Sequence, residues 1–389
     1  MFKRPEFDIS ADLEWWIAPQ HLFDGRKLHH DVALLIKAGK IIRLADIAKM
    51  PQEARVWQIK GTLCPGFFDI QVNGGGGVLF NNSPTLATLE TIYNAHKQFG
   101  TLSWLPTFIT DKPEGMREAV NAVIEAKGRF GVEGIHLEGP YLNVTRKGTH
   151  KASYIRAVEP LIFDLVADLA LANIPVLITL APECVPAGTI AKLSALGAIV
   201  SAGHSAATAE QTAAALDEGL TCFTHLYNGM PQMTSRQPGI IGEALNSTVY
   251  CGIIADGHHV ADQMLGIAIR SRKIPHHMIL VTDAMSTIGG QDHFVLYDEL
   301  IKVENGRLVN QAGSLAGAHI DMISSVKNLI NNADIDVETA MAMATQNPAT
   351  LMGLDGQVGM LKAGANANIL FLNDDYDLDD KLINGQFEK

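Results

Sequence analysis

The chain has 389 residues, with 42 acidic against 30 basic side chains, a formal net charge of -12 and 47% hydrophobic residues. No Lys/Arg-rich run is present, which excludes the basic surface that nucleic-acid binding requires; an apolar fraction this high with 19% charged residues excludes a disordered chain. The length admits one large domain plus a small one.

The opening segment, MFKRPEFDISADLEWW, holds no apolar run of the signal-peptide kind. Strand-like runs follow at 15–17, 31–36 and 40–45. From residue 62 a unit recurs: a short β-branched apolar run, a polar loop, then a segment with helical spacing. Candidate strands lie at 62–71, 102–109, 134–138, 175–181, 198–203, 221–225, 250–255 and 277–283, eight in all. Helical segments are expected at 84–100, with Ser83 as N-cap and Gly100 as the stop, and at 112–126, 159–172, 187–196, 208–216 and 261–272. Near-continuous apolar strands alternating with helices predict a parallel sheet covered on its outer face, and eight units predict a closed (β/α)8 barrel of the TIM type, an α/β fold. An open doubly wound sheet is disfavoured because no GxGxxG opens a helix after a strand.

Residues 292–308 read as a hairpin insert turning at Asn305-Gly306. Helices at 321–332 and 337–345 complete the barrel, and the tail adds strand-like runs at 367–372 and 382–384. Residues 1–60 and 360–389 are expected to build one small β-sandwich, because neither piece could bury a core alone, leaving 61–359 for the barrel. The most apolar stretch, 161–180, is broken by Asp164 and Asp168, so no membrane span is expected. Cys64, Cys184, Cys222 and Cys251 are scattered without a CxxC pair, which fits a reduced, cytoplasmic protein.

In such barrels the active site lies at the C-terminal ends of the strands. Gln71 and Asn73, Glu138, His204, His225, then Asp256, His258 and His259, and finally Asp283 all fall there. One strand-end His is more often a hydrogen-bonded structural residue, and one strand-end Asp often caps the next helix. That five of eight strands end so is hard to explain by structure alone. Glu138, His204 and His225 offer two nitrogens and one oxygen, which suits Zn2+, and also Fe2+ or a similar divalent ion. Three protein ligands leave a place for water, whose pKa such an ion brings from about 15.7 toward about 7. Asp283 beside it could take the proton and return it to a leaving amine. The set points to metal-assisted hydrolysis of an amide or related bond. Ser205 has no GxSxG elbow around it, and Gly74-Gly75-Gly76-Gly77 lacks the GxxxxGK[ST] pattern and reads as a tight turn. His136 alternates with Glu138 and is expected to face inward; His29, His30, His276 and His277 are expected at the surface, and Met341, Met343 and Met352 in the core.

Several stretches together resemble the N-acetylglucosamine-6-phosphate deacetylases of the amidohydrolase superfamily: PGFFDIQVNG (65–74), IHLEGPYLN (135–143) with KGTH (147–150), AGHSAAT (202–208), FTHLYNGM (223–230), ADGHHV (255–260), VTDAMS (281–286) and GSLAG (313–317). HLEGP and THLYNGM in this order and spacing are specific; GHS or TDA alone would be weak. The resemblance implies Glu138, His204 and His225 as ligands of one divalent metal ion per subunit, Zn2+ before Fe2+. It implies Asp283 as catalytic base and acid, and His259 as the residue that contacts the sugar and helps polarise the reacting group; His258, its neighbour, takes a supporting role. Asn228 and Gly229, Thr149 and His150, and Leu315, Ala316 and Gly317 would contact substrate, and Arg236 would hold its phosphate. A homodimer, in which a neighbour completes the pocket, is implied as well, with a phosphorylated amino sugar as the only other partner: no nucleic acid and no membrane.

Two positions depart from the wider pattern. Where many amidohydrolases carry His-x-His for a second metal, this chain has Gln71-Val72-Asn73, and strand four, VLITLAPE, offers no Lys for a bridging carbamate. Amides are poor ligands beside imidazole, so one metal is expected. Gly229 stands where Ala is common, which should leave the local backbone contact in place. The competing readings are an amidohydrolase acting on a cyclic amide or an N-acylated amino acid, and a non-catalytic scaffold.

Overall fold

Gly66 is where the chain passes from one sheet to another. In the computed structural model, which describes residues 3–7, 9, 13–311 and 313–388, Val56–Pro65 belongs to a sheet built from both termini and Phe67–Val72 to a barrel. The single strand expected at 62–71 is therefore two. Its apolar run is unbroken because both strands are buried, which hides the junction. Gly66 itself is pressed against strand two, where an added Cβ would lie 2.7 Å from Leu102 Cβ.

The barrel strands are Phe67–Val72, Thr101–Ile109, Ile135–Glu138, Val176–Leu180, Ile199–Ala202, Cys222–Phe223, Tyr250–Ile253 and Met278–Leu280. They pair in that order, in parallel, as one eight-stranded sheet. Strands one and eight meet just beyond the end of strand eight: Asp283 N donates to Gln71 O at 3.0 Å and Asn73 N to Ala284 O at 2.9 Å. The result is a nearly closed (β/α)8 barrel.

Helices cover its outside. Leu86–His96 is capped by Thr85, not Ser83: Thr85 Oγ1 accepts from Thr88 N, and Gly100 ends the following turn at φ 89. Pro113–Glu125 and Pro160–Leu171 begin on proline, whose missing N–H costs nothing at a first helical position. Ala209–Asp217 opens on a capping box between Thr208 and Gln211. Gly239–Asn246, between strands six and seven, was not expected; its apolar GIIG start follows a loop with Pro231 and Pro238 and lacks a polar cap. Met322–Asn331 buries Met322, Val326 and Leu329 completely, each worth about 1.5–3 kcal/mol of transfer from water.

Inside the barrel a polar layer lies below the mouth. His136 does face inward: Nε2 pairs with Thr179 Oγ1 at 2.7 Å and Nδ1 with Thr107 Oγ1 at 3.2 Å, while Thr224 Oγ1 joins Thr179 and Ser201 at 2.7 and 2.6 Å. Burial pulls His136 down to about 4, so it stays neutral.

The terminal strands form one continuous eight-stranded sheet. Gln386–Phe387, Leu378–Ile383 and Ile369–Leu372 lead through Val56–Pro65 and Trp15–Phe23 to Val32–Lys37 and Lys40–Asp46, with Leu28–His30 beside Trp15–Phe23. A single bent sheet, not two separate ones, makes the expected sandwich: its edge returns at Lys40↔Asn366, and Ile41 N donates to Ala365 O at 2.9 Å. Trp15, Ile41, Trp57, Phe371 and Leu382 share the enclosed core.

The insert has three strands, His293–Leu296, Glu299–Glu304 and Arg307–Val309. Asn305-Gly306 turns the second hairpin with φ 52 and 78, and Tyr297-Asp298 the first with φ 51 and 71, the left-handed pairs that two-residue hairpins need. Phe294, Leu296, Ile301 and Leu308 pack on Leu79, Ile109 and Met285 at the barrel mouth. Met341, Met343 and Met352 are buried as expected. Among the described residues no helix is long and apolar enough to cross a membrane.

Candidate active site

Three of the expected site residues sit in left-handed backbone just beyond a strand: His204 at φ 48, His225 at φ 30 and Asp283 at φ 52. Such a conformation costs a residue with a Cβ about 1–3 kcal/mol and persists only where its surroundings hold it. Here they do. The carbonyl of His204 accepts from Asn143 N at 3.0 Å, that of His225 from Asn228 N at 3.0 Å, and that of Asp283 from Ala318 N at 3.0 Å. The sharp turns send all three side chains into the mouth, where Glu138 arrives as the last residue of strand three.

Glu138 Oε1 lies 3.1 Å from His204 Nε2 and 3.1 Å from His225 Nε2, and the two Nε2 atoms are 3.1 Å apart. All three residues are buried and form a group able to hold a metal ion. A tetrahedral ion with ligands at 2.0–2.1 Å spaces its donors roughly 3.3 Å apart, so the donor set and its spacing fit a small divalent cation. The tautomer fits too. His204 Nδ1 pairs with the Arg146 carbonyl at 2.8 Å, so Nδ1 carries the proton and Nε2 is left with its lone pair toward Glu138. Two glycines make room for this ring: a Cβ on Gly229 would lie 2.9 Å from His204 Nδ1, and one on Gly148 3.2 Å from Cε1. Burial opposes charge on Glu138, but its bonds to His204 and His225 hold it well below the usual carboxylate range.

Asp283 Oδ1 accepts from Asn73 Nδ2 at 2.7 Å and from Gln71 Nε2 at 3.1 Å; the same Gln71 nitrogen lies 3.2 Å from Glu138 Oε2. The amides that replace His-x-His thus serve as donors that clamp two carboxylates. Burial, with Glu138 nearby, pushes Asp283 up to about 6, against the pull of His225, His259 and the Asn73 bond. A carboxyl poised there can both take and return a proton near neutrality.

His259 is held by Asp256: Nδ1 pairs with Oδ2 at 2.6 Å, while Oδ1 accepts from His258 N and His259 N at 2.8 Å each. Burial would raise the Asp256 pKa, but these bonds bring it to about 2. His150, fully buried, pairs through Nδ1 with Thr110 Oγ1 at 2.7 Å and brings Nε2 to 4.0 Å from Glu138. Its place beside the cluster differs from that of His258, which is exposed.

A cavity of about 140 Å³ unites Glu138, His204, His225, Asp283, His259, Thr149, His150, Asn228, Gly229, Leu315 and Gly317 with Asn73, Ile109, Gly148 and Met285. Two expected residues are not among its lining. Ala316 is buried in the apolar cluster under the insert. Arg236 is exposed, because Thr234 N and Oγ1 pair with Gln237 O and Gln237 N returns to Thr234 Oγ1 in a tight turn that aims residue 236 at solvent. A larger cavity, about 780 Å³, lies at the N-terminal ends of the strands beside Glu133, Asn173 and Gln357, away from the metal-type cluster. Sequence reasoning missed the hold of Asp256 on His259, although an Asp three residues before a His in a loop is a readable pattern. It also missed the Arg146 carbonyl and the Thr110 hydroxyl, for which no sequence pattern exists.

The amidohydrolase family profile matches residues 62–387. An N-acetylgalactosamine-6-phosphate deacetylase of Shewanella sp. is 44% identical over 322 residues, covering 81% of this chain and 80% of the relative. An N-acetylglucosamine-6-phosphate deacetylase of Haemophilus influenzae is 32% identical over 366 residues, covering 92% and 95%. The crystal structure of N-acetylglucosamine-6-phosphate deacetylase from Pasteurella multocida superimposes with a TM-score of 0.90 at 33% identity, covering 97% of this chain and 100% of the other. A buried glutamate and two imidazoles converging at the mouth of a parallel barrel, beside an aspartate from strand eight, agree with these matches over nearly the whole length: the chain belongs to the amidohydrolase family, a family of metal-dependent hydrolases.

Proposed function

We propose that the protein removes the acetyl group from N-acetyl-D-glucosamine 6-phosphate, giving D-glucosamine 6-phosphate and acetate in the breakdown of amino sugars. The observation that carries this reading is the convergence of Glu138, His204 and His225 within 3.1 Å of one another, with Asp283 clamped alongside. A divalent ion held there supplies a Lewis acid and a water nucleophilic at neutral pH; the two-nitrogen, one-oxygen donor set suits Zn2+ best.

Asp283 takes the proton of the attacking water as the new C–O bond forms at the acetyl carbon. It then delivers that proton to the amide nitrogen as the C–N bond breaks, so the products are acetate and the free amine. Gln71 and Asn73 hold Oδ1 of Asp283 in place, which leaves Oδ2 to receive the proton. Asp256 fixes the Nδ1 side of His259, leaving Nε2 for the sugar or the acyl group, and His150, which burial holds well below the usual imidazole range, stays neutral beside the cluster. Asn228, Gly229, Thr149, Leu315 and Gly317 shape the sugar site. Arg236 takes the phosphate when its loop meets the substrate, or when a second subunit does so in a homodimer. The free cysteines at 64, 184, 222 and 251 support a reducing, cytoplasmic setting.

A second reading is favoured by the 44% identical relative, which is named for N-acetylgalactosamine 6-phosphate. The two sugars differ only in the configuration of the C4 hydroxyl. Acetate release measured on both phosphates, and on the unphosphorylated sugars, decides between them. The proposal expects the higher kcat/KM on the glucosamine derivative and a large loss without phosphate. A higher value on the galactosamine derivative selects the second reading, and indifference to phosphate removes both.

A further inference from the structure

We propose that Asp69, buried in the seam between strands one and eight, is a positioning residue for Asp283 that acts through the Thr282 hydroxyl. The inference rests on the reading of Asp283 as the group that moves the proton.

Asp69 is fully buried and does not line the site cavity. Closing the seam does not need it, because Gln71 O and Ala284 O already accept the strand-to-strand hydrogen bonds. A buried carboxyl is expensive, and an apolar side chain would serve packing as well or better. What Asp69 does is local. Its Oδ2 accepts from Thr282 Oγ1 at 2.5 Å, and its Oδ1 accepts from Gln71 N at 3.1 Å. With its proton committed to Asp69, the Thr282 hydroxyl presents a lone pair to Ala284 N, 3.2 Å away. Residues 282 and 284 bracket Asp283, which sits between them in left-handed backbone at φ 52. On the facing strand the Gln71 backbone is held by the same carboxylate, and its side chain reaches Asp283 Oδ1 at 3.1 Å. One buried group therefore orders both the main chain that carries Asp283 and the amide that clamps it.

The test uses the metal-loaded protein and three variants. Thr282→Val keeps the shape and removes the hydroxyl, Thr282→Ser keeps the hydroxyl, and Asp69→Asn exchanges one acceptor oxygen for an amide donor. Thr282→Val and Asp69→Asn are expected to lower kcat for acetate release by tenfold or more with KM changed less than about twofold and metal content near that of the parent, in protein that stays folded at the assay temperature although Tm falls, because a buried polar group loses its partner. Thr282→Ser is expected within about twofold of the parent, and the double variant Asp69→Asn/Thr282→Val no slower than the worse single one, because the two act as one unit. Parental kcat in the folded, metal-loaded Thr282→Val protein overturns the proposal, and so does a loss shared equally by Thr282→Ser. The Thr282 pair decides the matter alone if Asp69→Asn does not fold. Near-parental turnover by Asp283→Asn in the same assay would instead overturn the role of Asp283 itself.

Discussion

Asn73 Nδ2 donates to Asp283 Oδ1 at 2.7 Å, from the position where a two-metal amidohydrolase would place a ligand. The amide stabilises the ionised form of a carboxyl that burial and Glu138 push up to about 6. Asp283 must be ionised to accept a proton, so its pKa sets an acid limb in the pH profile, which the bound cation displaces downward. Asn73→Ala removes a donor to the charged form and should move that limb to higher pH by roughly one unit. The dependence of kcat/KM on pH checks this; an unmoved limb would separate Asn73 from Asp283.

Asp283→Asn keeps the size and the neighbours of the side chain but cannot take a proton. Turnover should fall by about 10²–10⁴, the usual worth of a positioned acid or base, while substrate still binds. Single-turnover acetate release together with equilibrium binding of the substrate measures the two separately.

Asp256→Asn should release the imidazole of His259 from its fixed tautomer and lower kcat/KM about tenfold or more, each tenfold being about 1.4 kcal/mol. It should also change stability with pH. The Asp256 pKa is about 2 in the folded protein against 3.8 for the free side chain. The stability gained is therefore present above about pH 4 and lost as pH falls toward 2. Acid unfolding curves should be flatter in that window for the Asn variant, and parallel curves would show that the hydrogen bonds of Asp256 contribute nothing.

Arg236→Ala should raise KM for the phosphorylated sugar about tenfold or more and leave the unphosphorylated sugar unaffected, since a guanidinium is suited to a phosphate monoester. The exposed position of Arg236 in an isolated subunit makes the oligomeric state part of this measurement. If a neighbour completes the pocket, the effect should follow dimer concentration.

The barrel and its metal-type cluster were legible because strand-end residues of a parallel barrel share one mouth, so Glu138, His204, His225 and Asp283 could be placed together from strand order alone. The junction at Gly66 was not, because hydrophobicity does not distinguish two consecutive buried strands. The helix Gly239–Asn246 was hidden by its apolar start and missing polar cap. The hold of Arg146 O on His204 and of Thr110 on His150 arises between loops distant in sequence, where local pattern carries no information. Gln71 and Asn73 were legible as poor metal ligands, but their use as a clamp on Asp283 became visible only in three dimensions. Arg236 shows the opposite limit, since a motif names a residue without saying where its side chain points.

Under the proposed function a single cation is gripped by Glu138, His204 and His225 beside a working Asp283. Titrating chelator-stripped protein with Zn2+ while following acetate release from N-acetylglucosamine 6-phosphate tests it most directly. No release is expected before addition, then a linear return of activity with a break at one equivalent per chain. Release from the metal-free protein, or a break at two equivalents, would contradict it.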